Sequence, residues 1–184
     1  MEIYEFKKTV LPHTLRWEGI YSNRRSDKGG ETYRGISRVH HPEWGGWVFL
    51  DNIKDKKNGI TSLVNEALYE SVALFYWANY GQRFRHIVSP LVFIQAFDFS
   101  VNGGFSIRTL QECLNNLGAQ LTVDGKLGVN TFHAINSRLP EAVASLIIGL
   151  REAYNDKIDD FNQEYDKGWE NRIAFFKGLI NTIQ

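Results

Sequence analysis

Apolar positions at helical spacing recur along most of the chain and predict a mainly α fold. Phe6, Val10 and Trp17 mark a first helix that ends near Gly19, with Pro12 kinking it or opening its second part. Ile60, Leu63, Val64, Ala67, Leu68, Val72 and Phe75 share one face of a helix predicted over 61–80 and stopped by Gly81. Ser89-Pro90 reads as the N-cap and first residue of a helix running to Asn102. That segment is apolar nearly all round, as a central buried helix is, so its Gln95, Asp98, Ser100 and Asn102 need partners. Gly103-Gly104 ends it. Ile107, Leu110, Gln111, Leu114 and Leu117 carry the next helix, closed by Gly118. After the turn-rich run LTVDGKLGVNT a short helix is predicted over 131–137. Pro140 opens a long helix to about Tyr165, with Val143, Leu146, Ile147, Leu150, Tyr154 and Ile158 on one face. Gly168 breaks the chain, and Trp169, Ile173, Phe176 and Ile180 line a last helix.

Residues 20–59 lack this period. They are rich in Gly, Asn, Asp, Trp and His, with a break at His41-Pro42, and read as loops holding a short β-hairpin and a short helix. A loop this long inside a compact domain is more often functional than idle. No repeat or low-complexity linker occurs, so any two modules must pack directly, and 184 residues suffice for one domain or two small ones. The balance of 21 basic against 21 acidic residues leaves no overall electrostatic footprint for DNA or RNA, although Arg24, Arg25 and Lys28 form a small local basic group. The single cysteine, Cys113, excludes an internal disulfide and reads as a small buried hydrophobe. The N-terminal run MEIYEFKKTVLPHTLRW has no apolar core of signal-peptide length, and nothing approaches the roughly 18 apolar residues of a membrane span. The expectation is a chain made in the cytoplasm as a soluble protein, with no membrane insertion.

The stretch Trp17–Ser37, WEGIYSNRRSDKGGETYRGIS, concentrates the chemistry. Glycoside hydrolysis needs one carboxylic acid to protonate the leaving oxygen, and usually a second carboxylate to activate water or attack carbon. Glu18, beside Trp17 and just before a helix-ending Gly, suits the first role, because burial beside an aromatic raises a carboxyl's pKa. Asp27 suits the second, and Thr32 can hold a water beside it. Glycines between them allow the backbone to approach a bulky sugar. A Glu near a helix C-terminus is also an ordinary surface arrangement, so residue types alone leave both readings open.

The order of motifs narrows this. Glu18-Gly19-Ile20-Tyr21, then Asp27, Gly29-Gly30-Glu31-Thr32 and Gly35-Ile36-Ser37, resembles the signature of glycoside hydrolase family 108 muramidases, a group that includes proteins labelled secretion activators. Ala67-Leu68-Tyr69 with Tyr76-Trp77, and Phe97-Asp98-Phe99-Ser100-Val101-Asn102 with Gly104, resemble two further segments of that family. Leu110-Gln111, Val123-Asp124-Gly125, Gly128 and Thr131, with Gly168-Trp169 and Arg172, resemble small peptidoglycan-binding modules. The resemblance implies a lysozyme-like α-helical fold with a long active-site loop or small β element over 1–95, packed directly on a helical peptidoglycan-binding-like region over 96–184. It implies an N-acetylmuramidase that needs no cofactor or metal, with Glu18, Asp27 and Thr32 as the catalytic set. It further implies glycan contacts from Tyr21, Gly30, Glu31, Tyr33, Trp77, Asp98 and Asn102. Peptidoglycan strands would be the partner, and a holin-like or secretion partner would release the protein to the periplasm or wall. Ile20 in place of the family's second Gly, and Arg24-Arg25 where Asp-Pro is frequent, are departures. They keep alive a wall-binding or secretion-assisting protein that no longer cleaves, and a lytic transglycosylase, which needs a single Glu and no water, is the second enzyme reading.

Other residues carry two readings each. Asp98 and Asn102, one turn apart, either touch glycan at a cleft floor or satisfy buried groups. Asp124-Gly125 either contacts ligand or forms a turn in which Asp caps and Gly takes positive φ. His40-His41 lacks a third ligand at metal-binding spacing. Trp44, Trp47, Trp77 and Tyr80 divide between sugar-stacking and plain core. Trp169 reads as core, with Arg172 pairing nearby.

Overall fold

The computed structural model describes residues 1–23, 29–53, 65–159 and 166–182. The chain divides into two compact units, 3–79 and 80–184, with Met1 and Glu2 belonging to the second.

In the first unit, α1 (Ile3–Thr9) and α2 (Leu11–Leu15) replace the single predicted helix. Pro12 sits in the first turn of α2, where its missing N–H is not needed, so it opens the second piece. Phe6, Val10 and Leu11 are fully buried. Three two-residue strands follow: β1 (Tyr21–Ser22), β2 (Thr32–Tyr33) and β3 (Ile36–Ser37), antiparallel and in that order. α3 (Gly46–Asp51) supplies Trp47 and Leu50 to the core. α4 (Glu66–Tyr76) starts at Asn65, whose side chain accepts from Leu68 N at 2.9 Å. The predicted start of this helix near residue 61 lies outside the described residues. Gly81 does not stop it: the helix widens into a π turn over Trp77–Gly81 and then tightens into a 3₁₀ turn over Gln82–Phe84.

In the second unit, α5 (Pro90–Val101) buries every residue from Leu91 to Ser100. Ser89 Oγ caps it by accepting from Val92 N at 3.4 Å. α6 (Ile107–Asn116) is capped by Ser106 in the same way and closed by Gly118 at φ +85°. α7 (Val129–Asn136) begins two residues before the predicted start. α8 (Pro140–Asp159) and α9 (Asp166–Ile180) pack against α5 and against each other. Gly104 is required by packing, since a Cβ there would lie 2.3 Å from the Phe99 ring and 2.6 Å from that of Tyr154.

Three expectations need correction. Gly168 does not break the chain but lies within the first turn of α9, because one Gly in a helix costs only about 1 kcal/mol against Ala. Trp169 is half-buried rather than core, at the lip of a groove between α8 and α9 shared with Ile173. Cys113 is likewise only half-buried. Residues 160–165, where α8 was expected to end, lie outside the described residues. Among the described residues no helix is long and apolar enough to cross a membrane.

Candidate active site

α2 ends at Leu15, and Trp17 N donates to Thr14 O at 3.0 Å before the chain bends at Glu18 and enters β1. The β1–β2 ladder pairs Tyr21 with Tyr33 and Ser22 with Thr32. It continues one step further, since Arg34 N donates to Ile20 O at 3.0 Å. That step carries Glu18 alongside the β2–β3 turn. Ile20 serves through its backbone and is not among the residues of positive φ, so a glycine is not needed at this departure from the family pattern.

The β2–β3 turn consists of Arg34 and Gly35 between the paired Tyr33 and Ile36. Both residues have positive φ, +49° and +80°, a type I′ turn whose twist matches the flanking strands. Among the described residues Arg34 is the only non-glycine in that region. Gly35 is required twice over. Besides its φ, a Cβ there would lie 2.5 Å from Tyr76 Oη and 2.8 Å from Glu18 Oε2, closer than any side chain tolerates. Tyr76, the last residue of α4 and 2% exposed, donates its hydroxyl to Arg34 O at 2.6 Å. The bend before β1, the β2–β3 turn and the end of α4 therefore converge on the carboxyl of the half-buried Glu18. Gly35→Ala is expected to reduce both melting temperature and activity, as alanine at this φ is strained by about 1 kcal/mol and displaces the two oxygens. Thermal unfolding and turnover on the same preparation check it.

The remaining expected site residues lie as follows. Glu31 Oε1 accepts from Tyr21 Oη at 2.9 Å and Oε2 from Arg38 Nη1 at 2.6 Å. Arg38 also reaches Asp51 at 2.8 and 2.5 Å and covers the Trp47 ring at 5.0 Å. Hydrogen bonds to Asp51 and then Glu31 hold the Arg38 guanidinium charged, above its ordinary pKa. Glu31 is thus occupied in tying β2 and β3 to α3. Thr32 is placed by register on the polar face with Ser22 and Ser37, and its Oγ1 donates to Gly30 O at 3.3 Å. Gly30 has φ +62°, with Val39 packed over it. Tyr33 is buried and stacks on Trp44 at 6.0 Å. Trp44 and Trp47 are also core, donating their indole N–H groups to Ser71 O and His41 O. Trp77 is half-buried beside Phe6, ring centroids 5.2 Å apart, and Tyr80 is half-buried. His41 packs its ring edge-on to Phe75 at 4.7 Å. Asp27, with Arg24, Arg25 and Lys28, lies outside the described residues.

In the second unit, Asp98 has no exposure. Its Oδ2 accepts from Arg151 Nη2 at 2.7 Å and Arg172 Nε at 3.0 Å, and its Oδ1 from Arg172 Nη2 at 2.7 Å. Of its two readings, the buried one describes these contacts. Asn102 is exposed and caps α5. Sequence reasoning missed Arg151, Arg38 and the Tyr76 hydroxyl. Arg151 alone had a signal, falling between Ile147 and Tyr154 on the apolar face of α8.

Gln111 explains the Leu-Gln…Val-Asp-Gly pattern. Its Nε2 donates to Asp124 Oδ1 at 2.9 Å, Lys126 O at 3.1 Å and Thr131 Oγ1 at 3.1 Å. Its Oε1 accepts from Gly125 N at 2.8 Å, where Gly125 has φ +75°. Gln111 is 1% exposed, so Gln111→Ala strands several buried groups and should destabilise by about 2–3 kcal/mol in urea unfolding. The Gln111 amide and then the Lys126 N–H hold the Asp124 carboxyl below its ordinary pKa. The folded loop therefore favours the carboxylate. This contribution is present at neutral pH and is lost as pH falls below the ordinary carboxyl value of about 4, which hydrogen exchange at Gly125 N should report.

The family model described as Glycosyl hydrolase 108 matches residues 11–104, just over half of the chain. The chain belongs to glycosyl hydrolase family 108. Within this family 108 protein, residues 105–174 match a second model, described as a predicted peptidoglycan domain. Together the matches make it a glycoside hydrolase directed at peptidoglycan. The solved structure of Brucella abortus SagA has the same fold, with TM-score 0.64 at 19% identity over 98% of this chain and 96% of SagA. No curated protein matches. The family boundary at 104/105 falls after α5, whereas the second compact unit begins at Tyr80, because α5 packs with α8 and α9.

Proposed function

We propose that this family 108 protein is an N-acetylmuramidase, cutting the β-1,4 bond between N-acetylmuramic acid and N-acetylglucosamine with Glu18 as general acid. The observation that supports it is the seat of Glu18. Glu18 is half-buried, with its carboxyl beside Gly35 and near the Tyr76 hydroxyl, next to a turn whose carbonyl is itself held. An acid must be aimed before it can deliver a proton to a glycosidic oxygen. The resemblance assigns the second carboxylate to Asp27, between β1 and β2, and water-holding to Thr32. Asp27 would orient or activate water. Glycan strands are the partner in this reading, reached through a holin-like or secretion partner.

Purified peptidoglycan digested by the wild type should gain reducing N-acetylmuramic acid ends, and Glu18→Gln should produce them at least about a hundredfold more slowly. Anhydro ends would replace this reading with a lytic transglycosylase. Intact binding to wall material without cleavage would replace it with a binding protein.

A further inference from the structure

We propose that Tyr76 is a positioning residue for Glu18, acting through the Arg34–Gly35 turn. The proposal rests on the reading of Glu18 as the acid. Tyr76 is one of the largest fully buried side chains in the protein, yet it ends in a polar group. Its hydroxyl proton is committed to Arg34 O at 2.6 Å, across 42 positions of sequence. That carbonyl belongs to the only non-glycine residue of positive φ among the described residues, so the turn is strained where the hydroxyl grips it. A side chain held in this way fixes the height of Gly35 above the end of α4.

Gly35 then transmits the position. The point where its Cβ would lie is 2.5 Å from Tyr76 Oη, 2.8 Å from Glu18 Oε2 and 3.3 Å from Glu18 Cδ. The two oxygens therefore flank one small patch of backbone, and their separation cannot exceed the sum of the two shorter distances. Moving the turn moves one wall of the carboxyl's seat. Removing the hydroxyl frees Arg34 O and leaves the ring in place, so Glu18 loses a fixed wall while the apolar core of α4 is retained. Misplacement of a catalytic group by about 1 Å is worth up to a hundredfold in rate, which makes the effect measurable.

The test uses the full chain and soluble, uncross-linked peptidoglycan strands. Tyr76→Phe is expected to lower kcat by about tenfold or more with KM within about twofold. Tyr69→Phe is the control, because it also deletes a hydroxyl of α4 bonded to a backbone carbonyl, but that of Lys7 at 3.0 Å and not one of the turn. To separate positioning from lost stability, Arg34→Gly is added to Tyr76→Phe. Glycine relieves the positive φ and should recover the melting temperature. Relative to Arg34→Gly alone, the double variant should still show the depressed kcat. Recovery of kcat together with melting temperature, an unchanged kcat in Tyr76→Phe, or an equal fall in Tyr69→Phe would each overturn the proposal. If Glu18→Gln retains wild-type turnover, the reading of the acid fails instead, whatever Tyr76→Phe does.

Discussion

Asp98→Ala is expected to destabilise the 80–184 unit by about 3–5 kcal/mol, the largest stability loss of any single change considered. Asp98 is fully buried, and the arginines it holds, Arg151 and Arg172, are 2% and 8% exposed. Burial already pushes the Arg151 guanidinium down from its ordinary pKa, with Asp98 opposing that and Arg172 adding to it. Without the carboxylate, two guanidinium groups face each other with the charge between them removed. The Phe99 and Phe176 rings, at 5.2 and 4.9 Å from Arg151, offer a cation only a weak substitute. The loss comes from the buried Arg151 charge left without its carboxylate rather than from the value of the ion pairs. A discriminating variant follows. Asp98→Leu combined with Arg151→Met and Arg172→Met removes all three charges and should be much less destabilised than Asp98→Ala. Urea unfolding of the full chain, followed by circular dichroism, checks both. Equal losses in the two variants would mean that packing volume, not charge, holds α5 to α8 and α9.

The second unit was legible where local rules and tertiary packing agree. Ser89-Pro90 marked the start of α5, and its continuous apolar run marked burial, because a helix with no polar face has nowhere else to go. The partners of Asp98 were not legible, since Arg151 and Arg172 arrive from 53 and 74 residues away. Gly168 misled because glycine punctuates only when the neighbouring period also fails, and here Trp169, Ile173 and Phe176 maintain it. In the first unit, the loss of helical period over a Gly-, Asn- and Asp-rich stretch was enough for a hairpin but not for a third strand. β1 is two residues long and owes its pairing to β2, not to its own composition. Glu18 was found through a motif of residue types, yet what holds its carboxyl was hidden. Gly35 could be read as a turn residue, whereas its second duty, clearing room for Glu18 and Tyr76, exists only once α4 crosses beneath the turn. Trp44 and Trp47 fall on the core side of the two readings open to them, since aromatic residues suited to sugars are equally suited to a small core.

Glu18→Gln should lower turnover on peptidoglycan by about a hundred- to ten-thousand-fold while leaving the fold intact. Glutamine keeps the volume and hydrogen-bonding reach of the side chain but has no proton to give to a leaving oxygen. The seat formed by Gly35 and Tyr76 can accept it, so the melting temperature should move little. The useful contrast is Glu31→Gln, thirteen positions further on in the same motif. Glu31 already accepts from Tyr21 and Arg38, and Arg38 connects it to Asp51. Its loss should therefore register mainly in stability, by about 1–3 kcal/mol through a weakened charge-assisted bond, with a smaller fall in turnover per folded molecule than in Glu18→Gln. Rates and melting curves measured on both variants separate an acid from a strut. If Glu31→Gln silences the protein and Glu18→Gln does not, the acid has been assigned to the wrong glutamate, and the network around Arg38 becomes the site to explain.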